Sequence, residues 1–225
     1  MPDIQYSGLA CFRLRGRDGT VLCDPFDRSA GIDPGKPTAH IVTISNAHPH
    51  HSASQIVRPM REDELFVVQG PGEYEVRGVL ITGVRTRPHP ERPTAPQYNT
   101  VYVIHLDDVA FCHVGKLSGE LPQTQLEEIG RVDVLLLPVG GGDTLNPDEA
   151  ASVISQIEPS IVIPMYYALD GLAPEYRLAA LEKFTHAVGL KDTLAVDKVT
   201  INPAMVSESE QTRFVLVQPS GGQIV

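Results

Sequence analysis

The chain has 225 residues, 42% of them hydrophobic and 20% charged, and a formal net charge of -10. Length and apolar share suffice for a sizeable core and exclude a disordered chain, while the excess of acids opposes nucleic acid and anionic membrane, which are bound through Lys and Arg. There is no run of about 18 apolar residues to cross a membrane, and "MPDIQYSGLACFRL" lacks the basic-then-apolar order of a signal peptide.

The first half reads as strands: Asp3–Ser7, Ala10–Leu14, Thr20–Cys23 and His40–Ile44, with Asp18-Gly19 as the tight pair of a turn. A short helix is expected near Ala53–Val57. Strands then follow at Leu65–Val68, Tyr74–Val76, Val79–Val84, Thr100–Leu106 and Val109–His113, the last two joined by an Asp107-Asp108 hairpin turn. Gly70 and Pro71 suit a tight turn, and Glu73 and Tyr74 an edge. The Pro-rich stretch "RTRPHPERPTAPQYN" reads as a long exposed loop.

The second half alternates. Gln123–Ile129 is expected to be helical, and "VDVLLLPV" is a continuous apolar run suited to a strand buried on both faces. "NPDEAASVISQIE" carries its own start signal, Asn146 as cap and Pro147 at the first helical position, followed by apolar residues at i, i+3, i+4 and i+7. "SIVIP" is another buried strand. Leu178, Leu181, Phe184 and Val188 mark a helix closed by Gly189, and Thr212–Gln218 a last strand. With no repeat and no linker, one domain is expected over residues 1–225, with a flexible tail at about 219–225. Cys11, Cys23 and Cys112 lie in apolar runs without metal-type spacing, as buried thiols of a reducing, cytoplasmic protein would. The partners expected are a small molecule or a protein chain, a homo-oligomer included.

Clustered histidines after a buried strand, as in "SNAHPHHSA", form a plausible metal-site layout. The order "YSGLACFRL…TVLCDPF…IVTISNAHPHH…GPGEYEV…CHVGKL…VDVLLLPVGG…IVIPMYY" resembles the metallo-β-lactamase superfamily, within it the small stand-alone hydrolases of the ascorbate-6-phosphate lactonase-like branch. The resemblance covers roughly Asp3 to Gly189. It implies an α/β fold, a four-layer αββα sandwich of two mixed sheets, with a zinc site at one edge built from strand-end loops.

The resemblance also implies a ligand pattern from which this chain departs. The family's loop after the fourth strand reads H-x-H-x-D-H; here the positions are Asn46, His48, His50 and His51. Only His89 is available for the later loop histidine, in "RTRPHPE". Lys116 stands where a bridging aspartate is expected, Tyr166 at the final histidine, and Leu9 at a histidine frequent in the branch. An ammonium has no lone pair, so Lys116 cannot ligate and repels a nearby cation. Lys116 is therefore expected to replace the lost positive charge by pairing with Asp24, the "DPF" aspartate beneath the metals, supported by Tyr166 and His51.

Two functional readings follow. In the first, the dinuclear site is lost, no cofactor is used, and the protein acts by binding or assembly. In the second, zinc held by His48, His51 and His50 or His89 serves a mononuclear hydrolase of a lactone, ester or phosphoester. Metal-free chemistry with Lys116 as base is a lesser option. His50 alone reads as an exposed loop imidazole, and His40, His105, His113 and His186 as structural or surface residues. Tyr166-Tyr167 is expected to fill the emptied pocket.

Overall fold

The computed structural model describes all residues except 61–63, 93, 192–193, 208–210, 221 and 224–225. Two mixed sheets form the core. The first has six strands, in the order Val199–Thr200, Asp3–Gly8, Cys11–Arg15, Thr20–Cys23, Ile41–Ile44 and Phe66–Gln69. Its first four strands pair antiparallel, the three from Asp3–Gly8 to Thr20–Cys23 through short turns, and the last three run parallel. The second has seven: Arg213–Phe214, Ile161–Met165, Val134–Pro138, Val109–His113, Asn99–Leu106, Val79–Thr86 and Gly72–Val76. Its parallel half is the alternating part of the sequence, and its antiparallel half is the run of hairpins.

Local chemistry accounts for the elements. Val134–Pro138 and Ile161–Met165 are buried along their whole length, as continuous apolar runs require. Asp107 and Asp108 both take positive φ, 50° and 63°, the backbone that lets a two-residue hairpin follow the strand twist. The helix Pro147–Ile157 starts in a complete capping box: Asn146 accepts from the Asp148 and Glu149 amides, and the Glu149 carboxylate accepts from the Asn146 amide. Among the described residues the other helices, Gln123–Ile129, Leu181–Ala187 and Pro203–Ser207, are short.

Some expectations are corrected. The helix near Ala53–Val57 is a single 3-10 turn over Ser54–Ile56. The last strand shrinks to Arg213–Phe214, with Val217 bridged to Val196. Of the segment expected to be a flexible tail, Pro219 bridges to Tyr6, and Gly222–Gln223 pairs with Ile32–Asp33; residues 221, 224 and 225 lie outside the described ones. Backbone pairing there outweighs the Gly-rich composition that suggested looseness.

One contiguous core joins both sheets, with Tyr6, Phe12, Phe26, Tyr102 and Phe111 fully buried. Polar bonds cross it near one edge. The Tyr102 hydroxyl donates to Ile44 O at 2.9 Å, the Thr100 amide to Ser45 O at 2.8 Å, and the Tyr166 amide to Leu9 O at 2.9 Å. That edge holds the ends of the strands carrying Asp24, the histidines, Lys116 and Tyr166. Among the described residues no helix is long and apolar enough to cross a membrane.

Candidate functional site

The buried strand Ile41–Ile44 delivers the histidine loop. His48 caps a 3-10 turn over Pro49–His51: Pro49 presets the first φ, and the His51 amide donates to His48 O at 2.8 Å. Asn46 is consumed inside the loop. Its Oδ1 accepts from the His48 amide at 3.0 Å, and its Nδ2 donates to Ser45 Oγ at 2.9 Å.

Asp24 leaves the strand Thr20–Cys23 with a φ of 43° and is wholly buried. Its carboxylate accepts from Ser45 N at 2.7 Å, Ser45 Oγ at 2.5 Å and His51 Nδ1 at 2.6 Å. Burial works to raise this carboxyl's pKa, but His51, His113 and the hydrogen bonds outweigh it and hold it below the ordinary range. The expected pairing with Lys116 is therefore overturned. Asp24 is already satisfied from its own neighbourhood, and the Lys116 ammonium sits 3.5 Å from Asp143 Oδ2. The other expected supporters are divided: His51 serves Asp24, whereas the Tyr166 ring faces Lys116, 5.7 Å from its Nζ.

The bonds each imidazole makes fix what its other nitrogen offers. His48 Nδ1 accepts from the His50 amide at 3.2 Å, so the neutral ring carries its proton on Nε2 and presents a donor. Burial, then the nearby Lys116 charge, keeps His48 neutral, its pKa pushed down to about 4. His51 donates through Nδ1 to Asp24, leaving on Nε2 a buried lone pair that has no partner among the described residues. His50, expected as an exposed loop imidazole, is instead only 8% exposed. Its ring nitrogens meet Ser29 Oγ at 2.8 Å and the Tyr176 hydroxyl, because the segment carrying Tyr176 folds back over the loop. His113 donates from Nε2 to Ala10 O at 2.8 Å beneath the site, and its buried Nδ1 has no partner among the described residues.

His48, His50, Lys116, Asp143, Tyr166 and Tyr176 line one pocket of about 470 Å³, with Glu175 and Arg177 at its rim. His89 does not join them. It lines a separate cavity beside Gly119, where its amide donates to Ser118 Oγ and its Nδ1 accepts from the Glu91 amide. Pro88 and Pro90 hold the backbone around it in that course. Asp143, Tyr176 and Arg177 were missed in the sequence. Asp143 had a signal, a Gly-Gly-Gly-Asp segment after a buried strand; Tyr176 and Arg177 lie in a stretch without periodicity.

A catalytic zinc takes three converging protein donors with free lone pairs. Here His51 Nε2 offers one, His48 turns an N–H outward, both His50 nitrogens are engaged, and Lys116 has none to give. Among the described residues no group of three or more His, Cys, Asp or Glu is placed to hold a metal ion. The side chains as arranged do not fit a dinuclear centre.

The backbone carries a further mark. Asp24 and Tyr166 hold positive φ of 43° and 55° at strand ends around this edge, and Leu9, φ 50°, lies beside them in the tight turn between Asp3–Gly8 and Cys11–Arg15. The other described non-glycine residues of this kind, Arg77, Asp107, Asp108 and Glu158, lie in turns or at a helix end. Such conformations cost of order 1–3 kcal/mol each and cluster at functional sites.

A model of the beta-lactamase superfamily domain matches residues 3–166. The chain belongs to the metallo-β-lactamase superfamily. Among its relatives, a UPF0173 metal-dependent hydrolase of Thermococcus onnurineus is 29% identical over 194 residues, 74% of this chain and 85% of its own. A UPF0173 protein of Pyrococcus furiosus is 29% identical over 210 residues, 84% of this chain and 95% of its own. The crystal structure of a superfamily protein from Thermotoga maritima superposes with a TM-score of 0.75 at 30% identity, covering 96% of this chain and 98% of that one. Igni18, a metallo hydrolase of Ignicoccus hospitalis, shares the fold at a TM-score of 0.59 and 18% identity, over 89% of this chain and 99% of its own. The two-sheet sandwich is thus the family's.

Proposed function

We propose that this superfamily member works without the dinuclear metal centre, and that its pocket binds a ligand rather than hydrolysing one, in a binding or assembly role. Lys116 carries the reading. It lies 3% exposed in the pocket against Asp143, at the position where the resemblance places the metal-bridging aspartate. A buried ammonium there offers no lone pair and repels a cation. Asn46 with both polar ends engaged, the outward N–H of His48 and the Tyr166 ring at the final histidine position point the same way.

A mononuclear metal-dependent hydrolase is the second reading. The unpartnered Nε2 of His51 favours it, as do the relatives named metal-dependent hydrolases. Metal analysis of protein purified without added zinc separates the two, comparing wild type with a His48→Ala/His51→Ala double variant. Little metal in both supports the metal-free reading. Near-stoichiometric zinc in the wild type, lost in the variant, overturns it.

A further inference from the structure

Lys116 is buried, and its ion-pair distance, 3.5 Å to Asp143, is long for a charge-assisted bond, which settles near 2.7–2.9 Å. Asp143 is itself about one-third exposed and also accepts from the Thr94 hydroxyl, so it serves Lys116 only in part. Buried charge is stable when closely paired and hydrogen-bonded. The same pocket receives a second donor, the Nε2–H that His48 presents because its Nδ1 is occupied. Among the described residues, then, Lys116 reaches its acceptor only at 3.5 Å and the His48 Nε2–H has no close acceptor. Tyr166, Tyr176, Leu178 and Pro49 supply ring and apolar walls, and a cavity of about 470 Å³ is in the range that holds small molecules.

We infer that this pocket is a binding site for a small organic oxyanion, a carboxylate or phosphate ester on a flat apolar body, with the oxyanion bridging Lys116 Nζ and His48 Nε2. The inference rests on the metal-free reading and names the ligand class of the same site. The oxyanion displaces the distant Asp143 carboxylate from Lys116. The body stacks against Tyr166 and Tyr176, and Arg177 at the rim favours anions over neutral molecules. Asp143 and Glu175 oppose highly charged anions, so one anionic group on an apolar body fits better than a polyphosphate.

Chelator-treated protein titrated calorimetrically with benzoate, phenyl phosphate and neutral benzyl alcohol tests this. Saturable binding of at least one anion, at least tenfold tighter than the alcohol, is expected; the tighter anion identifies carboxylate or phosphate as the chemistry. Lys116→Met should weaken the anion by about tenfold or more while leaving the alcohol unchanged, and Asp143→Asn should tighten it, since the competing carboxylate is gone. Should Lys116→Met fail to fold, the wild type still decides: the ¹⁵N resonance of His48 Nε2 should move on saturation with the anion and not with the alcohol. Absence of saturable anion binding in protein free of metal overturns the inference and leaves the metal-free reading standing. Anion binding that appears only on adding zinc overturns both.

Discussion

His51 turns its Nδ1–H onto Asp24 Oδ2 at 2.6 Å, with neither side chain exposed to solvent. This pair organises the edge of the sandwich, because the same carboxylate also takes the amide and hydroxyl of Ser45 and so ties the end of one strand to the next. Removing it leaves three buried donors without an acceptor. Asp24→Ala should lower the unfolding free energy by about 3 kcal/mol or more, with Asp24→Asn recovering part of the loss. Urea denaturation measures it, and a change below about 1 kcal/mol would show that the network contributes little to stability.

Acid should weaken the fold early. Burial is the leading cause that holds His48, His50, His51 and His113 below the usual histidine value. A ring kept neutral when folded, yet free to protonate when unfolded, draws the equilibrium toward unfolding once pH drops below about 6.5. Stability is therefore full above that pH and declines toward pH 4, where His48 itself titrates. Asp24, held below its ordinary range, adds a further loss at lower pH still. Chemical denaturation at pH 7.5, 6, 5 and 4 should trace the decline, and a flat profile contradicts it.

Restoring the family's ligand types should restore metal uptake. The triple replacement Asn46→His, Lys116→Asp and Tyr166→His adds two imidazoles and exchanges the ammonium for a carboxylate. Histidine also tolerates the left-handed backbone at position 166, φ 55°, better than a bulkier aromatic. Zinc content should rise to about one ion or more per chain. A triple variant that folds and stays free of zinc would mean that something other than these three positions excludes the metal.

At the helix Pro147–Ile157, Asn146→Ala removes the cap and should cost about 1 kcal/mol. Glu149 belongs to the same box and also pairs with Arg92 of the Pro-rich loop. Glu149→Gln should therefore cost less stability while raising susceptibility of residues 87–98 to proteolysis. Equal protection in both proteins would show that the pair does not anchor the loop.

The sandwich was legible because its strands announce themselves by apolar runs, and the turns by Asp107-Asp108 and the Asn146-Pro147 start. The site was legible as a set of positions rather than as contacts. Asp24, His48, His51, Lys116 and Tyr166 do gather at one edge, yet the partner assigned to Lys116 was wrong. Family order says which strand ends converge; it does not say that Ser45 and His51 saturate Asp24, or that a Gly-rich turn 27 residues downstream of Lys116 brings Asp143 within reach. His50 misled for a related reason, since the segment that covers it, around Tyr176, carries no periodic pattern.

Asp143 has two clients. One oxygen faces the Lys116 ammonium and the other takes the Thr94 hydroxyl from the Pro-rich loop. Drawing Lys116 away should leave that carboxylate with the Thr94 tether and a freer rotamer, so the loop is expected to respond to events on the pocket floor. Hydrogen exchange at residues 94–98 should then report on the pocket, faster when Asp143 has lost Lys116, and unchanged if the two are not coupled.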